Sequence, residues 1–268
     1  MMKCDVCEEN DCVESFGKNA NKCLKCNSIY NISLQDDEIP AIVSGTNNLK
    51  LSAQRKNSKL VAQSYLKYLK EKTNLDFENS LDIGCGFGDF VEELNKIGTK
   101  ATGIESDKNT VQEANSNVNY GVFNESYDAT IKYDLISINQ TLYYFEDSFA
   151  IIKKISELLK PNGIIMIATI NTESSFRQEH EIWTQGCKMC LGNKLWENFD
   201  RFGLNCIDVT SYDDNLYIDF FLNKAKILSN AKFLKNSFFY LSKIKKLFVI
   251  KNDGINNFIL LKKSRLDS

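Results

Sequence analysis

The stretch Leu81-Asp82-Ile83-Gly84-Cys85-Gly86-Phe87-Gly88-Asp89-Phe90 constrains this chain more than any other part of it. An apolar run ends in an acid, glycines then alternate with other residues, and the spacing of an amphipathic helix begins. Such a run reads as a strand, a tight loop and a helix start, with main-chain amides open to whatever lies over the loop. Glycine accepts positive φ and has no Cβ to hold a ligand off. Taken alone, the triplet is equally what an ordinary tight strand-to-helix turn requires. A dinucleotide fingerprint would put its third glycine at position 89, where Asp89 stands; the glycine here is Gly88.

The segments that follow narrow the reading. Lys100-Ala101-Thr102-Gly103-Ile104-Glu105 forms a second strand pattern whose terminal acid lies seventeen residues past Gly88. One helix plus one strand sets that distance in nucleotide-binding βαβ units, where the acid accepts hydrogen bonds from a ribose diol. Tyr133-Asp134-Leu135-Ile136-Ser137-Ile138-Asn139 has the composition of a third, buried strand. Leu158-Leu159-Lys160-Pro161-Asn162-Gly163 followed by Ile164-Ile165-Met166-Ile167-Ala168 reads as a helix end, a turn and another apolar strand. Strands and helices alternate in this way to about Asp208, as in a parallel sheet covered on both faces.

The acid-x-Gly-x-Gly-x-Gly loop, the acid at Glu105 and the Leu-Leu-Lys-Pro-Asn-Gly phrase, in this order, resemble class I S-adenosylmethionine (SAM) methyltransferases. The resemblance implies an α/β fold, doubly wound around a mostly parallel seven-stranded sheet. It also implies SAM as cofactor, with Asp82, Gly84, Cys85, Gly86, Gly88, Glu105, Ser106 and Asn139 around it.

At 268 residues, net charge −2 and 43% hydrophobic content, the chain can bury the core of one such domain with a small attachment. No apolar run has the length of a membrane span, and Met1-Met2-Lys3-Cys4 does not open a secretion signal. The expected setting is cytoplasmic, with the nine cysteines reduced. Cys4 with Cys7, and Cys23 with Cys26, form two C-x2-C knuckles separated by fifteen residues, the pattern of a four-thiolate structural zinc site. Cys12 is a spare thiol between them, and Cys187 with Cys190 form a third C-x2-C without a partner knuckle. The expected organisation is a zinc ribbon over residues 1–34, a linker over 35–56 and the methyltransferase domain over 57–268. A helix is expected where Leu60, Val61, Ser64, Tyr65, Tyr68 and Leu69 repeat at helical spacing. A lysine-rich helical segment is expected over 215–250. Between Asp219 and Asp253 there are eight lysines and no acid, which leaves −10 for the rest of the chain. That segment is either a solvated helix face or a contact for an anionic acceptor or membrane surface, through residues 222–250.

The combination also resembles a bacterial and archaeal type that joins two cysteine knuckles to a methyltransferase domain, often in polysaccharide-biosynthesis contexts. That implies a small acceptor, a sugar or glycan precursor. Where this type carries a Glu-His pair after its fourth strand, the present chain has Tyr143 and Tyr144. His180, the single histidine, is a candidate general base, and Tyr143 a candidate for orienting an acceptor hydroxyl or simply a packing ring. Two alternatives stay open: a zinc-ribbon RNA methyltransferase, disfavoured by the slightly acidic net charge, and a non-catalytic SAM-binding module.

Overall fold

A computed structural model describes residues 3–4, 6–16, 20–30, 51–74, 76–114, 117–175, 187–196, 199–214, 248–250 and 256–264. His180, most of the expected linker and the lysines of the 222–247 stretch lie outside these residues.

The N-terminal segment forms β1 (Val13–Phe16), β2 (Ala20–Cys23) and β3 (Ile29–Tyr30). Helix α1 (Leu51–Lys72) begins inside the stretch read as linker. It is followed by β4 (Asn79–Ile83), α2 (Asp89–Lys96), β5 (Lys100–Glu105), α3 (Lys108–Gln112) and β6 (Val118–Tyr120). After the short α4 (Phe123–Ser126) come β7 (Tyr133–Asn139), α5 (Ser148–Leu158) and β8 (Leu159–Ile170). The remaining strands are β9 (Met189–Cys190), β10 (Leu204–Asp214), β11 (Phe248–Ile250) and β12 (Asn256–Lys263).

The large sheet has the order β11-β10-β12-β8-β7-β4-β5-β6. Strands β6, β5, β4, β7 and β8 run parallel, and β12 lies antiparallel between β8 and β10. The expected seven strands are therefore present, with β11 added at the edge of β10. That strand corrects the helical reading of 215–250 at its end: Phe248-Val249-Ile250 is a β-branched and aromatic run that suits an edge pairing better than a helix. The Pro161-Asn162-Gly163 turn is absorbed into β8 as an irregularity. The register passes from Tyr133↔Leu159 to Leu135↔Ile164, with Asn162 at φ 64°.

Side chains alternate across the sheet as strand geometry demands. Ile165, Ile167, Ile259 and Leu261 point to the face covered by Ile152 and Ile155 of α5. Ile164, Met166, Phe258 and Leu260 point to the face covered by Tyr65 and Leu69 of α1 and Phe90 and Leu94 of α2. Helices on both faces make the sheet doubly wound. Chain order reverses direction at β4, whose neighbours are β5 on one side and β7 on the other. Open α/β sheets take ligands at the carboxyl ends of the strands flanking such a switch.

Helix α1 is fixed to the far side of the sheet by a polar contact. Tyr68 Oη donates to Asp208 Oδ2 at 2.6 Å and Lys72 Nζ reaches Asp208 Oδ1 at 2.5 Å. Partial burial opposes the charge on Asp208, but the hydrogen bonds from Lys72, Thr210 and Tyr68 outweigh it and hold the carboxyl below its ordinary range. A depressed carboxyl contributes stability above its unfolded pKa of about 3.9 and loses it as pH falls through the folded value. Asp208→Asn is therefore expected to cost about 1–3 kcal/mol at pH 7, with the deficit shrinking below pH ~4. Urea midpoints at the two pH values check this; a pH-independent deficit would contradict it.

Candidate active site

The loop after β4 is held in a left-handed conformation at Gly84, Gly86 and Gly88, with φ of 68°, 56° and 74°. Gly84 N–H donates to Ile104 O at 2.8 Å, tying the loop to β5. A Cβ on Gly84 would lie 2.3 Å from Thr141 Cγ2, so β7's continuation packs directly on this residue. Among the described residues nothing lies within 4 Å of the corresponding point on Gly86. Gly86 is thus the open side of the loop, and Gly88 caps α2.

Glu105, at the end of β5, locks this loop. Its Oε2 accepts the Gly86 N–H at 2.9 Å and its Oε1 accepts the Asp107 N–H at 2.9 Å. Ser106 Oγ also donates to Oε1, at 3.5 Å; a carboxylate oxygen can accept two hydrogen bonds, so Oε2 retains capacity for a ligand hydroxyl. Beneath the loop, Asp82 is buried and its Oδ1 accepts from Ser137 Oγ at 2.6 Å. Burial pushes the Asp82 carboxyl up to about 7, against the Ser137 hydrogen bond and with the Glu105 charge adding to the rise.

These elements border a cavity of about 900 Å³ at the carboxyl ends of β4, β5 and β7. Gly84, Glu105, Ser106 and Asn139, all chosen from the sequence, line it. Val122 and Phe123 make one wall apolar, while Gln140, Thr141, Tyr144 and Phe145 form another. Both amide atoms of Asn139 are buried with no hydrogen bond among the described residues, an arrangement suited to a polar ligand. Cys85 turns the other way, onto β5, filling the space that Gly103 leaves; a Cβ there would lie 2.4 Å from Cys85 Sγ.

Tyr143 is buried, with Oη donating to Gln140 Oε1 at 3.2 Å, and it packs with Ile29, Ile170, Cys187 and Cys190. Burial, then the neighbouring Tyr144, raises its phenol well above the ordinary value. The neighbouring Tyr144, not Tyr143, lines the cavity. Sequence reasoning missed Gln140. It follows β7 at φ 53°, donates its backbone N–H to Ala168 O at 2.6 Å and its Nε2–H to Tyr212 Oη at 2.9 Å. A non-glycine residue at positive φ beside a cavity is a strained position of the kind found at functional sites.

The N-terminal thiols converge. The Sγ atoms of Cys4, Cys7, Cys23 and Cys26 all lie within 4.8 Å of one another, with Cys4–Cys26 at 3.9 Å and Cys7–Cys23 at 3.6 Å. Bonds of about 2.3 Å to a central tetrahedral ion would make these edges about 3.8 Å, so the donor set fits zinc. Backbone N–H groups of Lys25 and Cys26 donate to Cys23 Sγ at 3.4 Å each. Burial opposes ionisation of Cys23, but these amides and the Cys12 thiol outweigh it and bring the thiol down to about 7. Burial pushes Cys26 up to about 12, so a nearby cation would favour its thiolate. Cys12 lies 3.4 Å from Cys23, a fifth thiol beside the set. Cys187 and Cys190 are separate and buried, their sulfurs 3.1 Å apart.

Comparison with known proteins agrees with this geometry. Residues 53–207 match the family described as "Methyltransferase domain", and the chain belongs to that family. The ubiquinone biosynthesis O-methyltransferase of Coxiella burnetii is 30% identical over 115 residues, covering 40% of this chain and 49% of that protein. The chain thus spans about half the length of the curated relatives it matches. Among solved structures, a SAM-dependent methyltransferase from Thermotoga maritima, described as a possible histamine N-methyltransferase, superposes with a TM-score of 0.53. It is 16% identical and covers 80% of this chain and 96% of its own. A SAM-dependent methyltransferase from Archaeoglobus fulgidus gives 0.52 at 16% identity, covering 77% of this chain and 94% of its own. The fold is that of SAM-dependent methyltransferases.

The raised Asp82 carboxyl gives a signature in the ligand-free protein. It binds a proton in the folded state up to about pH 7, whereas the unfolded group protonates near 3.9. Its contribution to stability therefore declines as pH rises from about 4 to about 7 and is flat above. Asp82→Asn removes this decline, so the variant gains on the wild type between pH 5 and pH 8 in urea unfolding. An unchanged gap between the two proteins at both pH values would contradict the assignment.

Proposed function

We propose that the cavity binds SAM and that the enzyme transfers its methyl group to a small acceptor, most simply a hydroxyl of a sugar or glycan precursor. The observation that carries this reading is the Glu105 carboxylate, which lines the cavity and accepts the Gly86 amide of the glycine loop. In this reading Glu105 receives the ribose diol, Val122 and Phe123 flank the adenine, and Asn139 and Gly84 border the methionine part. Asp82, Cys85, Gly88 and Ser106 shape the same half-site from beneath and beside it. SAM supplies an activated methyl group on a positively charged sulfur.

The chain's contribution is alignment and exclusion of water, which in-line displacement requires above all. Tyr144, Gln140 and Phe145 form the wall on which the acceptor rests. An oxygen acceptor is also the chemistry of the ubiquinone O-methyltransferases that share part of this sequence. The acceptor's proton leaves to a base, for which His180 is the candidate; Tyr143 acts as a packing ring behind Tyr144. The lysines of residues 222–250 suit an acceptor carrying phosphate, or an anionic membrane surface that presents it. Among the described residues no helix is long and apolar enough to cross a membrane. Cys4, Cys7, Cys23 and Cys26 hold a structural zinc ion.

Calorimetry with S-adenosylhomocysteine, the demethylated cofactor, tests the cofactor reading. Wild-type protein should bind it, and Gly86→Val, which places a branched side chain on the open face of the loop, should lose at least ~100-fold in affinity. Binding that is equal in both proteins, or absent from the wild type, would overturn the reading. Elemental analysis tests the metal: one zinc per chain is expected in the wild type and in Cys12→Ser. Cys23→Ser/Cys26→Ser should lose the zinc, and zinc retained in that double variant would refute the site.

A further inference from the structure

The second knuckle does not end at its cysteines. Its next two residues, Asn27 and Ser28, dock on the methyltransferase domain more than 140 residues away in sequence. Ser28 is wholly buried. Its Oγ lies 3.2 Å from Cys26 Sγ and accepts the Gly192 N–H at 3.0 Å. Gly192 presses on the same knuckle, where a Cβ would lie 1.9 Å from Cys26 O. Asn27 takes a left-handed conformation, φ 60°, and donates Nδ2–H to Glu173 Oε1 at 2.9 Å. Between these anchors β3 pairs with β9, Ile29 opposite Cys190 and Tyr30 opposite Met189.

The β9 segment then reaches the cavity wall. Lys188 N–H donates to Tyr143 O at 2.7 Å, and the Tyr143 and Tyr144 rings meet edge to face at 4.6 Å. Tyr144 lines the cavity. Thr141 Oγ1–H also donates to Gly84 O at 3.3 Å, but the Gly84 amide and the Glu105 carboxylate are held by other bonds, to Ile104 O and to the Gly86 amide. With a metal ion bound, Cys26 would have released its proton to solvent, and Ser28 Oγ–H would donate to its sulfur while still accepting from Gly192.

We infer that Cys26-Asn27-Ser28 is a positioning element for the acceptor side of the cavity: occupancy of the four-thiolate site orders residues 187–192 and, through Lys188 and Tyr143, the Tyr144 wall. Cofactor binding is outside its reach. The inference rests on the zinc reading above and is independent of which acceptor is methylated.

Amide hydrogen exchange followed by mass spectrometry, on full-length protein with zinc content measured in each sample, tests it. Removing zinc with a chelator should speed exchange about tenfold in peptides covering 187–192 and 142–145, with peptides covering 82–107 unchanged. Ser28→Ala should keep one zinc per chain and its affinity for S-adenosylhomocysteine, yet show the same local acceleration. Substituted with cobalt, it should also show a shifted thiolate-to-metal absorption band, because Cys26 has lost a hydrogen bond. Asn27→Ala, at a half-buried position, should loosen the same peptides if Ser28→Ala does not fold. Zinc bound in the wild type but exchange at 187–192 and 142–145 indifferent to its removal would overturn the inference alone. A wild type without zinc would overturn it together with the metal reading.

Discussion

Two amides, Gly86 and Asp107, converge on one carboxylate, Glu105, and the shape of the cavity depends on that meeting. The first amide belongs to the loop after β4 and the second to the turn that starts α3, so the acid joins two successive strand-to-helix connections. Hydrogen bonds to an ionised acceptor are about twice as strong as neutral ones. They hold the loop open at Gly86, where no atom of the described residues comes within 4 Å of a would-be Cβ. Thr141 closes the other side by packing on Gly84, which brings the end of β7 into register with the loop. The switch in strand order at β4 thus becomes a floor with acid, amides and glycine on one surface.

The second constraint is the way the N-terminal cysteines join the domain. Cys4, Cys23 and Cys26 belong to the same buried cluster as Ile165, Ile167 and Trp196, so the knuckles share a core with the large sheet. A segment of this size cannot bury enough apolar surface to fold alone, and metal binding supplies folding energy to such pieces. Here the sheet β1-β2-β3 is completed by β9 from the far part of the chain. The attachment is a buttress of the domain, not a separate appendage on a tether.

Much of this was legible in the sequence because it is local. The acid-glycine pattern at 82–88, the acid at 105 and the strand at 133–139 are fixed by short spacings, and the structure puts Gly84, Glu105, Ser106 and Asn139 on one cavity. The cysteine spacing likewise anticipates the convergence of four sulfurs. What depends on distant contacts was not legible. A two-residue strand, Met189–Cys190, has no periodicity to detect, and its partner lies about 160 residues earlier. The choice between Tyr143 and Tyr144 is made inside a single 3-10 turn, Leu142–Tyr144, where adjacent side chains diverge and only packing decides which one is buried. Gln140 carries no sequence mark of its positive φ, since glutamine is not a residue that favours it. Pro161-Asn162-Gly163 reads as a turn but is bridged by continuing strand pairing on both sides.

The most direct test of the account is the affinity of the wild-type protein for S-adenosylhomocysteine against its 2′,3′-dideoxy analogue, measured by calorimetry side by side. Loss of the ribose diol should weaken binding by about tenfold or more, as when hydrogen bonds to a charged acceptor are removed. Glu105→Ala should bring the two ligands to equal affinity. Equal affinities in the wild type would contradict the central claim that Glu105 holds the nucleoside.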